Sequence, residues 1–171
     1  MSLFEEYDKQ LVDYTKETAA MNLPLLSWDF HLNNLNNVAK EVYDVNLINK
    51  LTKKLIVGVD IIEEYTKNSK VIVITNPDLE IEFASSNIVE MTGYLSSEVI
   101  GNSPKMFQGP NTDVVISKDI RVHVNESKAF EATLTNYRKD NSEYECHIKG
   151  YPIFNKKGVL VKFVALEQEA A

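Results

Sequence analysis

The apolar periodicity of this chain changes once, at Lys70, and that switch limits its fold more than any other feature. Before it, apolar residues recur at the 3.6-residue spacing of helices. After it, they alternate with the period of two that belongs to strands. Such a chain must bury the faces of a sheet under helices, which makes it α+β. In residues 1–69, Leu3, Phe4, Tyr7, Leu11 and Tyr14 predict a first amphipathic helix, and Asn22-Leu23-Pro24 breaks it. Ser27 is the predicted N-cap of a second helix starting at Trp28-Asp29, with Leu32, Leu35 and Val38 on its stripe. A third helix is predicted from about Leu47 to Lys67. Ile48, Leu51, Leu55, Ile56, Val59 and Ile62 give it a broad apolar face.

Beyond the switch, Lys70 to Thr75 and Glu80 to Ala84 are predicted strands around an Asn76-Pro77-Asp78 turn. Three short helical pieces follow: Ser86 to Thr92, Ser96 to Ile100 and Pro104 to Gln108. Each ends at a glycine, as helix C-caps prefer. A longer helix runs from Thr112 to about Asn125, with Val115, Ile116 and Ile120 predicted inward. Three strands complete the pattern: Ala129 to Arg138, Glu143 to Phe154 and Val159 to Glu167. Along them Phe130, Ala132, Leu134 and Asn136 share one face, as do Tyr144, Cys146 and Ile148. The last strand is apolar on both faces, so both need cover. The short helices of its own domain can cover one. The N-terminal helices can cover the other, in cis or from a second chain.

Composition removes several function classes. The 171 residues carry 25 acids against 18 bases, a formal charge of -7, and the bases are scattered. A nucleic-acid partner is therefore not expected. One cysteine, Cys146, permits no intramolecular disulfide and no multi-cysteine metal site. His31, His123 and His147 lack metal spacing. There is no apolar run of membrane-spanning length and no secretory pattern at the N-terminus, so the expectation is a cytoplasmic protein. Neither a Gly-rich phosphate loop nor a nucleophile elbow nor a paired-carboxylate site is present, and the chain is not expected to be an enzyme.

Specific residues then point to a family. Ile81-Glu82-Phe83-Ala84-Ser85-Ser86-Asn87, Met91-Thr92-Gly93-Tyr94 and Glu98-Val99-Ile100-Gly101 resemble the signature run of PAS domains. Met106-Phe107-Gln108-Gly109-Pro110-Asn111-Thr112-Asp113 and Asn136-Tyr137-Arg138-Lys139-Asp140 resemble the LOV branch, the flavin-binding blue-light sensors. The resemblance covers residues 70–168, with 1–69 as an N-terminal helical cap and 169–171 as a tail. It implies a five-stranded antiparallel sheet with short helices on one face. It also implies a signalling module that passes its state on through protein contact, as a homodimer through the N-terminal helices or the outer sheet face.

The resemblance also marks candidate ligand contacts and departures from the LOV pattern. Gln108 and Asn136 match flavin contacts. Arg121 matches an arginine that would hold the phosphate of flavin mononucleotide (FMN), and Lys105 replaces a second one, keeping charge but losing the bidentate fork. Pro104 fills the slot of the cysteine that forms the light-driven adduct, so covalent photochemistry is not expected there. Ser103 stands in place of an asparagine, Cys146 in place of another, and Glu167 in place of the signal-relaying glutamine. Each residue also has a plainer reading. Asn136 can bond a neighbour or a water, Cys146 can be core filler, and Arg121 can pair with an acid on its helix. Glu167 can pair with Lys105 or reach solvent. Three functional readings stay open: a partner-binding sensory module, a non-covalent FMN sensor of redox or light, and a ligand-free scaffold. In the last, Tyr144, Met106, Phe107 and Phe163 would fill the pocket.

Overall fold

The computed structural model describes the backbone of residues 26–170 and side chains from Leu35 onward. The helix expected around Leu3 to Tyr14 lies outside the described residues. The chain divides into two compact units, Met1–Ala39 and Lys40–Ala171. Of the first, only the beginning of helix α1 is described; α1 spans Leu26–Thr52. It starts before Ser27, so that serine sits inside the first turn rather than capping it.

The second unit is built on a curved antiparallel sheet. Its strands are β1 (Ile56–Val57), β2 (Val71–Thr75), β3 (Ile81–Ala84), β4 (Phe130–Tyr137), β5 (Glu143–Phe154) and β6 (Leu160–Glu169). β6 lies centrally, between β5 and β2, and β3 forms one edge. β5 pairs with β4 along Glu143 to Gly150 and with the short β1 at Ile153 and Phe154. β1 therefore extends the line of β4, and the sheet is five strands wide, as expected.

The helix predicted over Leu47 to Lys67 is not one element. α1 carries on to Thr52, Lys54 takes a positive φ of 64°, and the chain leaves as β1. A second helix, α2 (Ile61–Thr66), begins at Asp60, whose carboxylate accepts the Glu63 N–H at 3.0 Å. The apolar spacing that suggests a helix hides a β-branched run, Ile56-Val57-Gly58-Val59. That run favours an extended backbone, and β5 offers an unpaired edge for it.

Two apolar clusters cover the two sheet faces. On the outer face, Ile48, Ile61 and Tyr65 pack with Ile72, Ile74, Phe83, Val164 and Leu166. The outer face of β6 is thus covered in cis by residues that precede β2. Asp44 fixes this cover. Its buried carboxylate accepts from the Tyr65 hydroxyl and from the Ser86 N–H, both at 2.6 Å. On the inner face, Val71, Val73, Ile81, Ile88, Val99 and Phe107 pack with Tyr144 and Cys146.

The inner face carries α3 (Ile88–Thr92), α4 (Ser96–Val99), a 3₁₀ turn (Pro104–Phe107) and α5 (Val114–Asn125). Gly93 and Gly101 follow the first two in the left-handed region, at φ 75° and 83°. Gly109 does not cap the third in this way. It leaves room for Tyr137, because a Cβ there would lie 2.4 Å from the Tyr137 ring. In α5, Ile116 and Ile120 are half-buried, but Val115 is 76% exposed, against expectation. The face is set by where the Asp113 N-cap starts the helix, through bonds to the N–H groups of Val115 and Ile116.

A candidate ligand cavity

The segments that resemble family motifs interlock around one space. Glu98 pairs with Lys139 at 2.6 Å, and the Lys139 N–H bonds the Thr92 carbonyl. The Thr112 hydroxyl accepts from the Gly109 N–H and donates to the Thr135 carbonyl. The Asn111 N–H donates to the Tyr137 hydroxyl, which donates to Glu143. These bonds hold the 3₁₀ turn and α5 away from β4, β5 and β6. The cavity between them has a volume of about 400 Å³, within the range of small-molecule sites.

The walls are mostly apolar, with Val73, Phe107, Leu134, Ile148 and Phe163 among them. A pocket filled by its own side chains is therefore not what this sequence builds. Met106 and Tyr144 pack against or within the inner core instead of plugging the space. Of the six candidate contacts, Asn136, Gln108, Lys105, Arg121 and Glu167 all line the cavity. Cys146 does not. It is fully buried in the inner core, and burial pushes its thiol up, as a small hydrophobe behind the wall.

Polar groups in this cavity are unusually short of protein partners. Asn136 is 4% exposed and its Oδ1 accepts no hydrogen bond, although its amide lies beside the Tyr144 hydroxyl and the Cys146 thiol. Thr75 is another lining residue, and its buried hydroxyl is unbonded among the described residues. Buried polar groups are normally bonded, so these two unbonded groups in the cavity wall are available to a polar ligand edge or to water. Gln108 holds only a long contact, from the Ser117 hydroxyl at 3.4 Å.

Lys105 and Arg121 are exposed where they border the cavity, and neither forms an ion pair among the described residues. Arg121 therefore does not pair with an acid of its own helix, and Lys105 does not pair with Glu167. Lys118, one turn before Arg121, adds a third cation. Glu167 does not reach solvent: it is 4% exposed, and its nearest polar neighbour is the Cys146 thiol at 3.9 Å. Burial raises its carboxyl to about 7, and the contact with Cys146 only partly opposes that.

Thr75, Ser117 and Lys118 are cavity residues the sequence reading missed. Thr75 had a signal: it shares strand parity with Val71 and Val73 of the inner core. Lys118 had one too, three residues before Arg121 on one helix face.

An antiparallel sheet with a lined cavity under short helices is the architecture of a sensory domain of signalling. The PAS domain model matches residues 68–169, and the chain belongs to that family. It is similar to phototropin-2 of Oryza sativa subsp. japonica and to the protein TWIN LOV 1 of Arabidopsis thaliana. Identity to the first is 35% over 97 residues, 57% of this chain and 11% of the relative. Identity to the second is 38% over 98 residues, 55% of this chain and 25% of the relative. This chain thus spans a quarter or less of these relatives. A light-oxygen-voltage domain solved in work on a flavin analogue shares the fold, with a TM-score of 0.62 at 24% identity. That match covers 67% of this chain and 87% of the other. Among the described residues, no helix is long and apolar enough to cross a membrane.

Proposed function

We propose that this chain is a sensory module of signal transduction that binds FMN without a covalent bond and passes its state on by protein contact, not by catalysis. The observation that carries this is the cavity of about 400 Å³, with Asn136 and Thr75 unbonded in its wall and Lys105 and Arg121 at its edge in no ion pair among the described residues. A flat heteroaromatic body suits the apolar walls. Asn136, Thr75 and Gln108 would hold its polar edge, and the cations would hold a phosphate. When bound, FMN would supply blue absorption and redox capacity. Pro104 lines the cavity and has no nucleophile, which supports a non-covalent state.

The output is proposed to run through a homodimer. Leu35, Val38 and Val42 recur along one stripe of α1 and are 67%, 57% and 55% exposed. Nucleic acid is not a proposed partner of this acidic chain.

The test is an absorption spectrum of protein purified in the dark, then titration with FMN and riboflavin. Binding of FMN is expected. Replacing Lys105 and Arg121 together by Ala should weaken FMN about tenfold or more, roughly 1.4 kcal/mol, and leave riboflavin within about twofold. No uptake of either flavin by the native sequence would refute the FMN reading.

A further inference from the structure

Among the described residues, Glu167 is the one acid that lines the cavity, and its surroundings cannot stabilise a carboxylate. In sheet register it stands beside Val71 of β2 and Ile148 of β5, both apolar. From β5 it meets the thiol of Cys146, with the Tyr144 phenol next to that thiol. β4 contributes the neutral Asn136. The 3₁₀ turn and α5 bring Lys105, Lys118 and Arg121 to the same cavity, but none is within ion-pair distance of Glu167. Two residues along β6, Glu169 is already paired with Arg138 at 2.6 Å. A carboxylate with neither a cation nor strong donors is costly when buried, and the group keeps its proton instead.

We propose that Glu167 enters the cavity as a neutral carboxylic acid, and that with Asn136 it selects a ligand edge presenting a hydrogen-bond acceptor beside a donor. The neutral acid has one O–H to give. The Asn136 Oδ1 is an acceptor without a donor. A ligand satisfies both with an acceptor toward Glu167 and an N–H toward Asn136, as an amide or imide edge of a heteroaromatic ring does. This rests on the FMN reading above and deepens it. It assigns Glu167 a specificity role that an ionised side chain would reverse, because a carboxylate has no proton to give and repels an acceptor. With the carboxyl raised to about 7, affinity stays level in acid and falls about tenfold for each pH unit above that value.

The experiment compares FMN dissociation constants of the native sequence and Glu167→Gln at pH 6 and pH 8. The FMN phosphate has its own second ionisation near 6. That affects both proteins alike and cancels in the ratio. For the native sequence, weakening by about tenfold more than for the variant is expected. The glutamine keeps an N–H donor at both values, so its affinity should follow the phosphate ionisation alone. Carbon-13 NMR of the Glu167 carboxyl in ligand-free protein supplies a second readout, with a protonated acid expected at pH 6. Equal pH dependence in both proteins, or an ionised Glu167 at pH 6, overturns the inference while leaving the FMN reading intact. Failure of both proteins to take up FMN at pH 6 overturns the two together.

Discussion

Replacing Asp44 with alanine should show how strongly the cover on the outer sheet face is held. Asp44 is 2% exposed and accepts two short hydrogen bonds, from the Tyr65 hydroxyl and the Ser86 N–H. A hydrogen bond to a charged group contributes about 1.5–3 kcal/mol. Tyr65 is 8% exposed, so its hydroxyl would be left buried and unbonded. Ser86 is half-buried, and water can serve part of its need. The expected loss is about 3–4 kcal/mol, a large share of the roughly 5–15 kcal/mol that stabilises a domain. With a urea slope of about 1.5–2 kcal/mol/M for a domain of this size, the midpoint should fall by about 2 M. Tyr65→Phe removes only the first bond and should cost about 1.5–2 kcal/mol. The double variant should then lose less than the sum, with a coupling of about 1 kcal/mol. A loss below about 1 kcal/mol for Asp44→Ala, with no coupling to Tyr65, would refute the claim that this carboxylate fixes the cover in cis.

Three further outcomes are expected. Glu167→Gln should change the pH dependence of ligand-free stability: the native fold retains a proton from the ordinary carboxyl value of 4.5 up to about 7, which the unfolded chain releases. Native stability therefore falls as pH rises through that window by up to about 3 kcal/mol. The variant should match it near pH 4 and exceed it by up to that amount at pH 8, and denaturation curves that shift in parallel would contradict this. Gly109→Ala should cost about 1–3 kcal/mol in chemical denaturation, because the new Cβ would lie 2.4 Å from a Tyr137 ring that two hydrogen bonds hold in place. Adding Tyr137→Ala should relieve the clash, so the double variant loses less than the sum. Pro104→Cys puts a thiol on the cavity wall, at the slot to which the resemblance to LOV domains assigns an adduct-forming cysteine. With FMN bound, blue light should then reversibly bleach the visible band, and an unchanged spectrum would argue against flavin lying against this turn.

Much of the fold was legible because it depends on local pattern. Period-two alternation placed all five main strands. Parity put Asn136, Cys146 and Glu167 on the inner side, and the two-faced apolar pattern of the last strand required cover on both sides. The misreadings came where local and tertiary demands diverge. Ile56-Val57 fits a helical stripe by spacing, yet it finds a strand edge on β5. Gly109 looks like a helix stop, yet its small size serves a tyrosine distant in sequence. Val115 looks apolar and inward, yet the Asp113 cap turns it to solvent.

The site divides in the same way. Sequence alone determined which chemical groups are available: Pro104 without a nucleophile, Lys105 with charge but no fork, and a carboxyl at Glu167. Tertiary structure alone decided what those groups do. It left a cavity instead of a filled core, withheld partners from Asn136 and Thr75, and left Lys105 and Arg121 unpaired at the edge. It placed Cys146 behind the wall and Glu167 beside Val71 and Ile148, where desolvation governs its proton. Residue identity is carried by the chain, whereas desolvation and hydrogen-bond satisfaction depend on neighbours brought together across the sheet.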